Sequence, residues 1–128
     1  MQRVPTLVGI EGHFKGQLYP LDYGKPMVIG RSRMVAISLR RTQKYRLLSE
    51  AEREKDEAAQ TVSGKHFQVT MFNLSSIEVK NLSPNGTRLD GKTIDTSMIS
   101  DVATKVHQIE FGVGEIFKLE MREKPPEL

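Results

Sequence analysis

The chain reads Ser63-Gly64-Lys65-His66-Phe67-Gln68-Val69-Thr70-Met71-Phe72 at its centre, and this stretch indicates the fold class. From His66 onward apolar and polar residues alternate, with Phe67, Val69 and Met71 on one side. Such alternation is typical of a β-strand with one buried and one solvated face. We therefore predict a strand over residues 66–72 that follows a glycine-containing loop.

Similar short apolar or alternating runs recur along the chain. They lie at residues 6–10, 13–21, 26–30, 34–39, 77–79, 109–111 and 117–121. Many short strands with Gly, Asn and Asp between them predict an all-β fold, an antiparallel sandwich or barrel. Asn85-Gly86 and Asp90-Gly91 readily accept positive φ in tight turns. The second dipeptide predicts a hairpin between residues 87–89 and 92–94.

One segment departs from the β pattern. Ser49 and Glu52 form a capping-box sequence ahead of a polar, charged run, which predicts one helix over about residues 50–59. The basic residues 40–46 before it are predicted to be loop. We expect the whole insertion, about residues 40–61, to be solvated.

Length and composition indicate one ordinary globular domain. A chain of 128 residues can bury a sizeable core. We predict a single domain over residues 1–122 and a flexible tail over 123–128, where two prolines follow Lys124. No apolar run approaches the ~18 residues that span a membrane, and the N-terminus has no signal-peptide pattern. We therefore expect a cytoplasmic location without membrane association.

The motifs that would indicate catalysis are missing from the sequence. His13, His66 and His107 are too far apart for the usual metal-binding spacings, and the chain has no cysteine. Nucleotide-binding glycine loops and the G-x-S-x-G nucleophile elbow are absent as well. We predict that the protein is not an enzyme and uses no metal and no cofactor.

Binding chemistry is better represented, in three patches where a predicted strand meets a loop: Gly30-Arg31-Ser32, Ser63-Gly64-Lys65-His66 and Asn85-Gly86-Thr87. A guanidinium offers a planar fork of donors that suits phosphate. A serine hydroxyl adds a donor, and an asparagine amide both donates and accepts. Singly, each patch has a structural explanation: a surface ion pair, a closed turn or a hairpin. In this order they indicate phosphopeptide binding, which the net charge of +3 also favours.

Read in full, the patches are Val28-Ile29-Gly30-Arg31-Ser32, Val62-Ser63-Gly64-Lys65-His66-Phe67 and residues 81–91, Asn-Leu-Ser-Pro-Asn-Gly-Thr-Arg-Leu-Asp-Gly. Together they resemble the forkhead-associated (FHA) domain, whose signature is Gly-Arg, then Ser-x-x-His, then Asn-Gly-Thr. The resemblance covers residues 7–120. It implies an SMAD/FHA-like antiparallel β-sandwich of about eleven strands. The helix predicted above adds one short helical insertion between the Arg31 and Ser63 loops. Loops at one end of such a domain recognise phosphothreonine.

The resemblance also implies residue roles. Arg31 and Ser63 would contact the phosphate, and Asn85 would hold the peptide backbone. Residues expected to shape the loops are Gly30, His66, Gly86 and Thr87. Possible accessory residues are Ser32, Arg33, Gly64, Lys65 and Ser83. The implied partner is a phosphothreonine-containing protein, such as a kinase substrate, in signalling or assembly.

Three features depart from the family pattern. Gly64 stands where Arg or Asn is common, which removes a side-chain donor. Pro84 stands where Ser or Thr is common and has neither a hydroxyl nor an N–H. Residues 32–62 form a longer connection than usual, and they enter the binding end of the sandwich. Ser83 is a possible substitute for the missing hydroxyl.

Two other functions stay open on the sequence. The first is a structural or assembly module that binds unmodified protein. The second is nucleic-acid binding through Arg40, Arg41, Lys44 and Arg46, with Tyr45 available to stack.

Overall fold

A computed structural model describes residues 2–124, which contain eleven β-strands and three short α-helices. The strands are β1 (Arg3–Glu11), β2 (Leu18–Pro20), β3 (Met27–Gly30), β4 (Ile37–Ser38), β5 (Phe67–Asn73), β6 (Ser76–Asn81), β7 (Thr87–Leu89), β8 (Lys92–Ile94), β9 (Thr96–Ile99), β10 (His107–Phe111) and β11 (Glu115–Glu123). A 3-10 helix (Leu39–Arg41) and the helices α1 (Gln43–Arg46), α2 (Glu50–Lys55) and α3 (Glu57–Thr61) lie between β4 and β5.

The strands form two sheets, as the alternating pattern predicts. One sheet has six strands in the order β2-β1-β11-β10-β7-β8, and the other has five in the order β4-β3-β5-β6-β9. Only the short pairing of β3 with β4 is parallel among the described strands. The prediction of an antiparallel β-sandwich of about eleven strands with a helical insertion is confirmed.

Aromatic side chains from both sheets fill the core. Phe67 of β5 lies edge-on to Phe111 of β10, with ring centroids 4.9 Å apart, and Phe111 stacks on Phe117 of β11. All three rings are fully buried. Burial of such large apolar groups stabilises the sandwich and gives the loops at its ends a rigid support.

Three predicted elements differ from the structure. The run 13–21 forms a strand only at Leu18–Pro20. The run 34–39 forms a strand only at Ile37–Ser38. The Arg41 guanidinium donates to the carbonyl oxygens of Val35 and Ala36, so these oxygens are not available to pair with a neighbouring strand. The predicted helix 50–59 is divided into α2 and α3. Asp56 ends α2 in an extended conformation and caps α3, where its side chain accepts from Ala59 N.

Two other local predictions are confirmed, and one is wrong. The capping box of Ser49 and Glu52 is formed at the start of α2. The hairpin of β7 and β8 is present, with positive φ at Asp90 and Gly91. The basic residues 40–46, predicted to be loop, instead contain the end of the 3-10 helix and α1.

The chain termini of the described part lie side by side. Strand β11 extends to Glu123, the first residue of the predicted tail, and Lys124 N donates to Gln2 O. The remainder of that tail, 125–128, lies outside the described residues. Residues 2–124 contain no helix with the length and apolar character needed to cross a bilayer.

Candidate functional site

The loops that carry Arg31 and Ser63 are joined through their main chains. Arg31 N donates to Ser63 O at 2.9 Å, and Ser32 N donates to Gly64 O at 3.1 Å. A Cβ at Gly30 would lie only 2.2 Å from Gly64 O. Glycine at the end of β3 is therefore required by the close approach of these loops.

The Ser63 hydroxyl meets the third loop through Ser83. The two serine Oγ atoms are 2.6 Å apart, and Ser83 Oγ also accepts from Asn85 N at 3.0 Å. Ser83 is buried, whereas Asn85 is exposed. One buried hydroxyl thus links the proposed phosphate-binding serine to the proposed peptide-binding asparagine.

The buried His66 ring connects the same loops through two hydrogen bonds. Its Nδ1 accepts from Ser63 N at 3.0 Å, so Nε2 carries the proton and donates to Gly86 O at 2.8 Å. Burial lowers the pKa of His66, and the hydrogen bond to Gly86 opposes this only in part. The ring is therefore a neutral connector within the described fold.

Asn81 organises the Asn85 loop, and the sequence reasoning did not select it. Its Oδ1 accepts from Ser83 N at 3.2 Å and from the buried Thr87 hydroxyl at 2.8 Å, and its Nδ2 donates to Ser83 O at 2.9 Å. Gly86 adopts φ +85°, which a side chain would strain. Its signal in the sequence is its residue type, because an asparagine side chain readily bonds to the main chain two residues on in an Asx turn.

The side chains of Arg31 and Asn85 both reach helix α3. Arg31 Nη1 donates to Ala59 O at 3.1 Å, and Asn85 Nδ2 donates to Thr61 O at 2.9 Å. These carbonyls belong to the last turn of α3, where helix carbonyls lack partners inside the helix. Each side chain keeps further capacity, because a guanidinium has five donors and the amide retains a second N–H and its oxygen.

Helix α3 is part of the packed structure. Ala59 and Val62 are buried, and Thr61 Oγ1 accepts from Val113 N at 2.8 Å. At the other end Asp56 bonds to His13 Nε2 at 2.9 Å. The expectation that the insertion is wholly solvated is therefore wrong for α3, although α2 has no buried residue.

Four of the accessory residues are exposed or half-buried, unlike Ser83: they are Ser32, Arg33, Gly64 and Lys65. Ser32 is half-buried and accepts from Met34 N through Oγ at 3.1 Å, while Arg33 and Lys65 are exposed. A Cβ at Gly64 would contact only Ser32 Cβ, at 3.9 Å. Within residues 2–124, Arg31, Arg33 and Lys65 form no ion pair, so their positive charge is not neutralised.

Tyr45 does not have the role that the nucleic-acid hypothesis gave it. Its side chain is buried, with the Arg53 guanidinium 4.8 Å from the ring centroid and the His13 ring edge-on at 5.9 Å. A buried ring cannot stack on a base, so this part of the hypothesis is wrong.

The described residues hold no group of three or more His, Cys, Asp or Glu able to bind a metal ion.

Known structures resemble this fold over nearly the whole chain. An FHA domain from Chlamydia trachomatis is 22% identical, with 93% of this chain and 97% of that one covered and a TM-score of 0.64. An FHA domain of an Arabidopsis thaliana hypothetical protein is 19% identical, with 98% and 92% covered and a TM-score of 0.67.

The N-terminal FHA domain of S. cerevisiae Rad53p, solved with a phosphothreonine peptide, is 18% identical, with 92% of this chain and 91% of that one covered and a TM-score of 0.56. Neither protein-family models nor curated proteins give a match to the sequence. The likeness therefore lies in the three-dimensional structure. This chain has the fold of a forkhead-associated domain.

Proposed function

We propose that the chain is an interaction module, not an enzyme, and that it binds a phosphothreonine peptide of a partner protein. The observation that supports this most is the hydrogen-bond connection of Arg31, Ser63 and Asn85. Arg31 N bonds to Ser63 O, the Ser63 hydroxyl bonds to Ser83, and Ser83 accepts from Asn85 N. Three donors of different chemistry thus belong to one small region of loops.

Arg31 and Ser63 suit the phosphate group. A phosphothreonine brings a charge of about −1.5 to −2 and three acceptor oxygens. Arg31 is half-buried and has no carboxylate partner among the described residues. Its guanidinium can therefore form charge-assisted hydrogen bonds, which are stronger than neutral ones.

Asn85 suits the peptide backbone. A main-chain segment presents both N–H and C=O groups, and the Asn85 amide retains one of each kind beside its bond to Thr61 O. The side chain is exposed, so a peptide can reach it. Its bond to α3 orients the amide before binding, which reduces the entropy lost on association.

The two unusual motif residues modify this site. Gly64 supplies no side-chain donor, but Ser32 lies beside it. Pro84 supplies no hydroxyl, and the neighbouring Ser83 hydroxyl lies against Ser63. We propose that Ser83 orients the Ser63 hydroxyl and does not itself contact the phosphate, since it is buried.

A second candidate function, binding of unmodified protein, is favoured by one observation. The side chains of Arg31 and Asn85 already have acceptors at the end of α3. If these internal bonds persist, the loops serve mainly to hold the insertion, and another surface binds the partner. The two functions predict different dependence on phosphorylation.

Titration calorimetry with three matched peptide libraries tests the proposal. The libraries carry phosphothreonine, phosphoserine or unmodified threonine at one fixed position. We expect binding of the phosphothreonine library alone, and its loss in Arg31→Ala, Ser63→Ala and Asn85→Ala. Equal binding of modified and unmodified peptides would instead support the second candidate.

A further inference from the structure

Two adjoining cavities flank helix α1, away from the proposed phosphate site. Each has a volume of about 400 Å³. Gln17 and Gln43 lie in the walls of both, so the two cavities adjoin one another. None of Arg31, Ser63 and Asn85 lines either cavity. We call this feature the α1 groove.

The α1 groove is strongly basic. Lys15 and Lys44 line one cavity, and Arg41 and Arg46 line the other, whereas no Asp or Glu lines either. Among residues 2–124 these four cations form no ion pair. Like charges held close together repel one another, and an anion bound between them relieves that repulsion.

Local contacts hold part of this charge in place. Arg41 Nη2 bonds to Ala36 O at 2.7 Å and also to Val35 O, which fixes the guanidinium. The nearest buried carboxylate, Glu115, lies behind Gly12 and accepts from His13 N at 2.9 and 3.1 Å. Glu115 therefore already has hydrogen-bond partners and does not line the groove, although its charge attracts Lys44.

We propose that the α1 groove binds an acidic segment of a protein partner. Glutamate or aspartate side chains would meet Lys15, Lys44 and Arg46. The side-chain amides of Gln17 and Gln43 can donate to and accept from the main chain of an extended segment. A single-stranded nucleic acid fits less well, because neither tyrosine near the groove presents an open ring face for stacking. Tyr45 is buried against His13 and Arg53. Tyr19 lines one cavity but is half-buried and packs edge-on to Phe14 and Phe117.

Fluorescence anisotropy with labelled octaglutamate at low salt tests this inference. The variant Lys44→Glu/Arg46→Glu reverses two exposed charges and should weaken binding by roughly tenfold or more. The matched control Lys25→Glu/Lys80→Glu changes the net charge equally but lies outside the groove. It should retain affinity within about twofold, and added salt should weaken binding to the wild-type protein.

Three outcomes would overturn the inference. One is the absence of octaglutamate binding at low salt, and another is an equal loss of affinity in the control variant. The third is tighter binding of a labelled oligothymidine through Lys44 and Arg46, which would identify the groove as a nucleic-acid site. Arg31→Ala separates this inference from the proposed phosphate site, since it should leave octaglutamate binding unchanged whether or not the chain binds phosphothreonine.

Discussion

The hydroxyl oxygens of Ser63 and Ser83 lie 2.6 Å apart, and this contact joins two loops that are 20 residues apart in sequence. We propose that this contact compensates for Pro84, which has no hydroxyl. Ser83 Oγ also accepts a hydrogen bond from Asn85 N, so this one oxygen contacts both Ser63 and Asn85.

We expect Ser83→Ala to weaken both the fold and the site. The variant loses two hydrogen bonds of a buried group, each worth about 0.5–1.5 kcal/mol. Urea unfolding should show this loss, and calorimetry should show weaker phosphopeptide binding at a temperature where the variant is folded. Ser75→Ala, in the exposed β5–β6 turn, is the control and should change stability by less than about 0.5 kcal/mol. Unchanged phosphopeptide affinity in Ser83→Ala would contradict the orienting role.

Gly30 and Gly64 should respond differently to the same substitution. A Cβ at Gly30 would clash with Gly64 O at 2.2 Å, whereas a Cβ at Gly64 meets only Ser32 Cβ at 3.9 Å. Gly30→Ala should cost about 1–3 kcal/mol in the free energy of unfolding, and Gly64→Ala should cost much less. Thermal unfolding compares the two variants, and equal shifts in Tm would contradict the described packing.

The open space at Gly64 permits a further substitution. Gly64→Asn adds a side-chain donor beside the proposed phosphate site. We expect it to strengthen phosphopeptide binding relative to Gly64→Ala, as calorimetry would show.

Much of the sandwich could be predicted from local pattern. Phe67, Val69 and Met71 alternate strictly, and the buried face they predict is the one observed. The 34–39 run has the same apolar spacing, but Arg41 captures its carbonyls, an interaction that spacing does not reveal. Local pattern therefore identifies strands whose main chains are free to pair.

The candidate site shows the same limit. Its motif residues are visible in sequence, but the contacts of Arg31 with Ala59 and of Asn85 with Thr61 span 28 and 24 residues. The acceptors there are main-chain carbonyls, which every residue has. No residue type marks them, so sequence alone leaves the position of α3 undetermined.

Thr61 provides a test of how α3 is attached. Thr61→Val keeps the shape but leaves Val113 N without its acceptor, at a cost of about 0.5–1.5 kcal/mol. Thr61→Ser keeps the hydroxyl. NMR should show shifted Asn85 side-chain amide signals in the valine variant only. Identical Asn85 spectra for both variants would show that α3 does not orient this amide.

His66 should make the fold less stable in acid. Burial holds its folded pKa below the ordinary value of 6.5. The unfolded chain therefore takes up a proton that the folded chain does not, and stability falls as the pH falls below 6.5. Protonation would also remove the acceptor for Ser63 N. An NMR titration should place the His66 midpoint below 6.5, and a midpoint above it would contradict the neutral connector.

His107 should titrate in the opposite direction. Burial disfavours its charged form, but hydrogen bonds to Asp90 at 2.6 Å and Asp101 at 2.7 Å outweigh this and raise the pKa above 6.5. The contribution of protonated His107 to the free energy of unfolding is complete below pH 6.5 and is lost as the pH rises through the folded pKa. His107→Gln should abolish this loss in urea unfolding measured from pH 5 to 9. A loss that persists in His107→Gln would assign it to another group.

The most direct test is a calorimetric cycle on Arg31. One peptide is measured with and without phosphate on its threonine, against wild type, Arg31→Ala and the exposed control Arg122→Ala. We predict that Arg31→Ala weakens phosphopeptide binding by roughly tenfold to a hundredfold, equal to about 1.5–3 kcal/mol, and leaves the affinity for the unmodified peptide unchanged. Equal affinity of wild type and Arg31→Ala for the phosphopeptide, or equal binding of both peptides by wild type, would contradict it.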